Sequence, residues 1–314
     1  MSVFVFALNA IFPILFFIIL GYVLKKRIFS SEERIAGLSK LCAEILLPCT
    51  LFYPTATTNF SDSTSRNLTL FCSIFTLTAI ALLCILIPRF IKNKASAKSI
   101  IQGGFRGNLM VISLTLLTTM YGDVGTRTAS VAVAVNVAIY NIMAVIVLSD
   151  FSGKFSAARL FQIIYQVLRS PLLIGAVFGI LFSLLGIRLP PTLDSIVSKL
   201  AVCGSCLSMV VLGANFTVRH AIQKLRLSSI AVAIKVMLLP AVSVICAYAL
   251  GFRGIELSCV FAIMGAPTST NSAVIATSLG CDGALSGEIV VLSTFAYVVT
   301  SFSGIVILRS FGLI

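Results

Sequence analysis

The chain has 314 residues, of which 59% are hydrophobic and 11% charged, with a mean hydropathy of +1.10. No water-soluble fold can hide that much apolar surface, so the composition excludes a soluble globular class and implies a polytopic membrane protein. The formal charge of +13 does not indicate a nucleic-acid partner, because the basic residues fall in short clusters between apolar runs, as the positive-inside rule expects.

At roughly 30 residues per span and loop, the length predicts about ten helices. The first span, 3–24, carries Asn9 and Pro13 and ends in Lys25, Lys26 and Arg27. It has no basic segment before it and no small-residue cleavage site after it, and is therefore expected to be a retained span and not a signal peptide. The second, about 35–54, contains Glu44 and the LLPCTLF stretch at 46–52. The third, about 67–87, stops at Pro88 before Arg89, Lys92, Lys94 and Lys98. The fourth, about 100–121, holds RGN at 106–108 and a polar run through Ser113, Thr115, Thr118 and Thr119. The fifth, about 127–148, carries Asn136, Tyr140 and Asn141.

Residues 149–169 read as a cytoplasmic linker between a first five-helix repeat, 1–148, and a second, 170–314. The sixth span follows Pro171 to about 187, the seventh is about 193–216, and the eighth, about 228–250, includes Lys235 and Pro240. The ninth is 258–279 and the tenth about 288–309. On the side called cytoplasmic the loops hold fourteen basic residues against five on the other, which predicts both termini outside. Compact loops and no eukaryote-type targeting point to a bacterial inner membrane.

The ninth span is long enough to cross a bilayer, yet Gly265 and Pro267 interrupt its centre and Thr268, Ser269, Thr270, Asn271 and Ser272 follow without a break. Proline removes a donor and clashes with the carbonyl four residues back, here Ile263, so the helix kinks or splits. One reading is a kink satisfied by neighbouring helices. The other is a broken helix at a substrate site, its second half starting at Thr268 with the positive dipole end aimed at the midplane, which suits an anion. YGDVG at 121–125 follows the fourth span as LGCDG at 279–283 follows the ninth, an offset of 158 residues. Five spans per half is an odd number, so the second half enters the membrane inverted, as in secondary transporters with discontinuous helices at corresponding positions.

Ionisable residues inside a membrane are functional candidates by default. Arg106 either neutralises a carboxylate at the crossing or snorkels to the cytoplasmic interface, and Lys235 has the same two readings. Glu44 is protonated, paired or coupled to proton movement. Lys40 and Lys199, near span ends, read as interfacial. Nine cysteines lie mostly in apolar runs, and the Cys203–Cys206 pair lacks a second pair or a nearby histidine. They read as packing residues, His220 reads as a solvated loop residue, and no metal or cofactor is expected. An enzyme would need a nucleophile and base or metal ligands, and no HExxH or GxSxG lies on a span. An anion channel or a membrane receptor that does not transport are the other classes left open.

RGN at 106–108, GAPTSTNSAVIA at 265–276 and LLPCTLF resemble the auxin efflux carrier family of membrane transport proteins, over essentially the whole chain. The resemblance implies ten helices in two inverted repeats, a scaffold domain from spans 1, 2, 6 and 7, and a transport domain from spans 3–5 and 8–10. It also implies an organic anion at the crossing of spans 4 and 9, a homodimer, Asn108 and Asn271 as the crossing asparagines, and Pro267 as the break. Family members carry Gly and Pro in a GLPL-like stretch of the fourth span, where this chain has Ser113, Leu114, Thr115 and Leu116. A bend there has to come from Gly107 and the hydroxyl side chains, or the site is asymmetric. By this reading the binding set is Asn108, Asn271, Thr268, Ser269, Thr270 and Arg106.

Overall fold

The structure, a computed structural model, describes residues 3–27, 32–57, 63–148, 169, 171–214 and 224–314. The linker 149–168 and the loop containing His220 lie outside the described residues. Among those described there is no strand, and seven helices are long and apolar enough to cross a membrane.

Helix α1 (Val3–Arg27) is followed by α2 (Glu32–Leu41), a π-helical turn (Cys42–Leu46) and α3 (Leu47–Ala56), which together make the second span. Pro48 explains that turn. It has no N–H for the carbonyl of Glu44, so the ladder widens by one residue and the Leu47 N–H reaches back to Cys42 O. α4 (Ser63–Phe90) is the third span and ends two residues after Pro88.

The fourth span is divided. α5 (Lys94–Phe105) is capped by Asn93, whose side chain accepts from the Ser96 N–H at 3.0 Å. Arg106, Gly107 and Asn108 are not helical, and a π-helical turn (Leu109–Ser113) then leads into α6 (Leu114–Leu148). The helical run from Leu109 to Leu148 covers 40 residues, about 60 Å at 1.5 Å per residue, twice a hydrocarbon core. Gly122, at φ 61° and ψ −146°, breaks it into two antiparallel-capable pieces, a conformation open only to glycine.

α7 (Pro171–Leu184) and α8 (Pro191–Ala214) pack on α1 and α3. Glycines allow the approach: a Cβ on Gly213 would overlap the Ile18 carbonyl, and one on Gly175 would overlap Pro48. The eighth span repeats the device of the second, with α9 (Leu225–Ala233), a π-helical turn (Ile234–Leu238) and α10 (Leu239–Ala249), where Pro240 removes the bond to Val236. α11 (Gly254–Gly265), α12 (Asn271–Ser278) and α13 (Gly283–Ser310) complete the chain.

The largest buried cluster joins α4, α5, α6, α9, α11 and α13. The fourth span is broken without a proline, at Arg106–Asn108, around the Gly107 at which its sequence allowed a bend. One expectation changes here. The second half of the ninth begins at Asn271, three residues later than Thr268, because Ala266–Thr270 run outside any helix.

Candidate functional site

The two interruptions meet. Gly107 and Thr268 form an isolated antiparallel bridge, in which the Asn108 N–H donates to Pro267 O at 2.8 Å and the Ser269 N–H donates to Arg106 O at 3.0 Å. Each break thus supplies the partners that the other has lost. A backbone group left unpaired at bilayer depth costs several kcal/mol, so the two breaks stabilise each other and neither is expected alone. Side chains complete the crossing. The Thr268 hydroxyl donates to Gly103 O at 2.8 Å, its N–H donates to Ser293 Oγ at 3.0 Å, and the Ser113 hydroxyl donates to Ala262 O at 2.8 Å.

Against the crossing lies a cavity of about 420 Å³. Arg106, Asn108, Ser269, Thr270 and Asn271 line it, with Tyr140 and Asn141 from α6, Ser39 and Cys42 from the second span, and Ser208 from α8. Leu47, Val111, Val137 and Leu212 give it an apolar wall. Five of the six residues of the expected binding set therefore share one cavity. Thr268 does not: it is 1% exposed, and its N–H and hydroxyl are both spent on holding the crossing.

Arg106 is 5% exposed, so its guanidinium is enclosed by protein. One Nη donates to Asn141 Oδ1 at 2.6 Å and the other to Tyr140 O at 3.4 Å, and among the described residues it has no carboxylate partner. Removing a cation from water costs several kcal/mol, and two neutral acceptors return only part of that. An anion in the cavity would return the rest. α12 adds to this, because its N-terminal residue Asn271 faces the same space and Thr270 places no side-chain cap on it. Its positive dipole end is directed at the cavity.

The other two ionisable candidates lie elsewhere. Glu44 is on the second span with its side chain 55% exposed and an oxygen 3.9 Å from Lys40 Nζ, an exposed i,i+4 pair outside the cavity. Lys235 is fully buried behind the crossing, where its Nζ donates to Met264 O at 2.8 Å.

Two residues escaped the sequence reading. Ser208 presents a buried hydroxyl to the cavity, and nothing in a lone serine among apolar residues marks it. Glu288, 2% exposed, accepts from the Ser228 hydroxyl at 2.8 Å and the Lys224 N–H at 3.0 Å. It stands at the first residue of the predicted tenth span, where the apolar pattern alone does not single it out.

A family model described as membrane transport protein matches residues 6–305. No curated protein matches the chain.

Proposed function

The chain belongs to the membrane transport protein family, the auxin efflux carrier family its motifs resemble, and from this and the cavity at the crossing we propose that it is a secondary transporter of small organic anions. The observation that carries the reading is Arg106: a buried guanidinium with no carboxylate partner among the described residues, facing a cavity into which a helix N-terminus also points. A carboxylate there would accept from Arg106 in a charge-assisted pair and from Asn108, Asn271 and the α12 amides. The volume of about 420 Å³ suits a molecule of a few carbons, and the apolar wall would take its hydrocarbon part.

The proposal includes ten helices in two inverted repeats, 1–148 and 170–314. Support comes from the reciprocal bonds about Gly107 and Thr268, and from Gly122 and Gly280, 158 residues apart, both at positive φ directly after spans 4 and 9. The scaffold of spans 1, 2, 6 and 7 corresponds to α1, the second span, α7 and α8, which pack on one another. The remaining spans would move against it as the transport domain, exposing the crossing alternately to each side. A homodimer, an inner-membrane location and external termini belong to the same proposal.

The test is a thermal-shift screen of the purified protein against mono- and dicarboxylates, amino acids and indole acids, repeated on Arg106→Gln and Asn271→Ala. A ligand at 100 times its Kd stabilises by about 2.7 kcal/mol, enough to read. One class of acid is expected to shift the wild type. Arg106→Gln is expected to weaken that binding about 10- to 100-fold, the worth of a charge-assisted hydrogen bond. A shift that both variants retain would remove the substrate from this cavity.

A further inference from the structure

Lys235 has no part in the anion cavity, yet it is among the largest fully buried side chains of the molecule and sits in the π-helical turn of the eighth span. Such turns insert one extra residue and re-aim the side chains around it. Here the ammonium reaches the C-terminal end of the half-helix α11. That end is unusually short of donors. Pro267, which would close a turn on Ile263, has no N–H. The Thr268 N–H, due to Met264, goes to Ser293 Oγ, and the Ser269 N–H, due to Gly265, goes to Arg106 O.

The carbonyls therefore look for donors outside their own helix. Ala262 O receives the Ser113 hydroxyl and Met264 O receives the Lys235 ammonium. Among the described residues no carboxylate pairs with Lys235, and its Nζ is set against the Met264 carbonyl at the negative end of the helix dipole. Gly107 leaves room for it: a Cβ there would lie 3.2 Å from Nζ and 3.3 Å from Cε. In discontinuous-helix carriers, half-helix C-terminal carbonyls at the crossing are where a transported or coupling cation is held.

We infer that Lys235 is a resident cation at the crossing, occupying the place a sodium ion takes in cation-coupled carriers, so that this protein binds its substrate and moves between states without Na⁺. The consequence for flux rests on the transport reading. The test below does not, because it uses no substrate.

Melting temperatures of the detergent-purified wild type and Lys235→Ala are compared at one ionic strength in choline, sodium, potassium and n-propylammonium chloride. Propylammonium replaces the atoms the substitution deletes, and 1-propanol is the uncharged control. The wild type is expected to melt at the same temperature in all four salts. Lys235→Ala is expected to melt lower in choline and to recover, with saturation, in propylammonium or sodium but not in propanol. Equal recovery in propanol and propylammonium would mean the side chain only fills space and would overturn the inference. So would a saturable sodium-specific rise in the wild type. If Lys235→Ala cannot be purified, Lys235→Met keeps the volume and removes the charge. A Met variant indifferent to cations with wild-type melting would count equally against a resident cation.

Discussion

Arg106 and Lys235 both lie close to one short bridge and are held differently. Arg106 spends its charge-bearing nitrogens on Asn141 and Tyr140 and faces open space, whereas Lys235 is enclosed and turned to a helix end. Both stand about seven residues into a predicted span, a depth from which a long side chain reaches either the interface or the protein interior. Sequence therefore left both readings open, and in the fold both side chains are buried. Asp282, outside the spans, works at the same scale. It caps α13 through the Leu285 N–H at 3.1 Å, accepts from the Ser96 hydroxyl at 2.9 Å, and pairs with Lys224, so it ties together the starts of α5, α9 and α13. Burial pushes its carboxyl up, but Lys224, the Leu285 amide and Ser96 together outweigh this and leave the pKa below the ordinary value. A depressed folded-state pKa contributes stability that is present above the unfolded value, about 3.9, and is lost as pH falls through the folded one. Melting temperature is accordingly expected to drop below about pH 4 in the wild type. Asp282→Asn should melt lower at neutral pH and lose that part of the acid dependence. An unchanged acid limb in the variant would show that the cap contributes nothing.

At the scale of elements, the breaks decide the architecture. The break of the ninth span was legible, because Gly265, Pro267 and the polar run after it cannot all be accommodated by a straight lipid-facing helix. That of the fourth was only half legible. RGN carried it, but the reason is tertiary: Asn108 and Arg106 give up helical bonds because Pro267 and Ser269 supply replacements from another part of the chain. No local proline was needed. The π-helical turns at Cys42–Leu46 and Ile234–Leu238 follow from Pro48 and Pro240, a relation that periodicity alone does not reveal. In the proposed topology the regions before α5 and around Gly122 lie on opposite membrane faces. In a cysteine-free background, a membrane-impermeant maleimide applied to cells is expected to label Val124→Cys and not Lys92→Cys, with the reverse in inside-out vesicles. Both positions are solvent-exposed on the protein surface, Val124 at 58%. Labelling of both from one side would contradict the proposed topology.

For the whole molecule, composition fixed the membrane class and the basic clusters fixed an orientation to test, while the assembly of the cavity depended on contacts between segments far apart in sequence. Arg106, Asn141, Ser208 and Asn271 come from four regions of the chain and share no pattern that spacing could expose. What unites them is the crossing, which brings together a guanidinium with no carboxylate partner among the described residues, one helix N-terminus and a small apolar wall. The measurement that bears most directly on the central claim is counterflow in proteoliposomes. Vesicles are loaded with the acid identified by thermal shift, and entry of a trace of its labelled form is followed in wild type and Arg106→Gln. A carrier that binds the anion at the crossing predicts saturable entry, transient accumulation above equilibrium driven by the internal pool, and loss of both in the variant at wild-type expression. Entry that rises linearly with concentration and ignores the internal pool would mark a channel. Unaltered counterflow in Arg106→Gln would place the anion elsewhere.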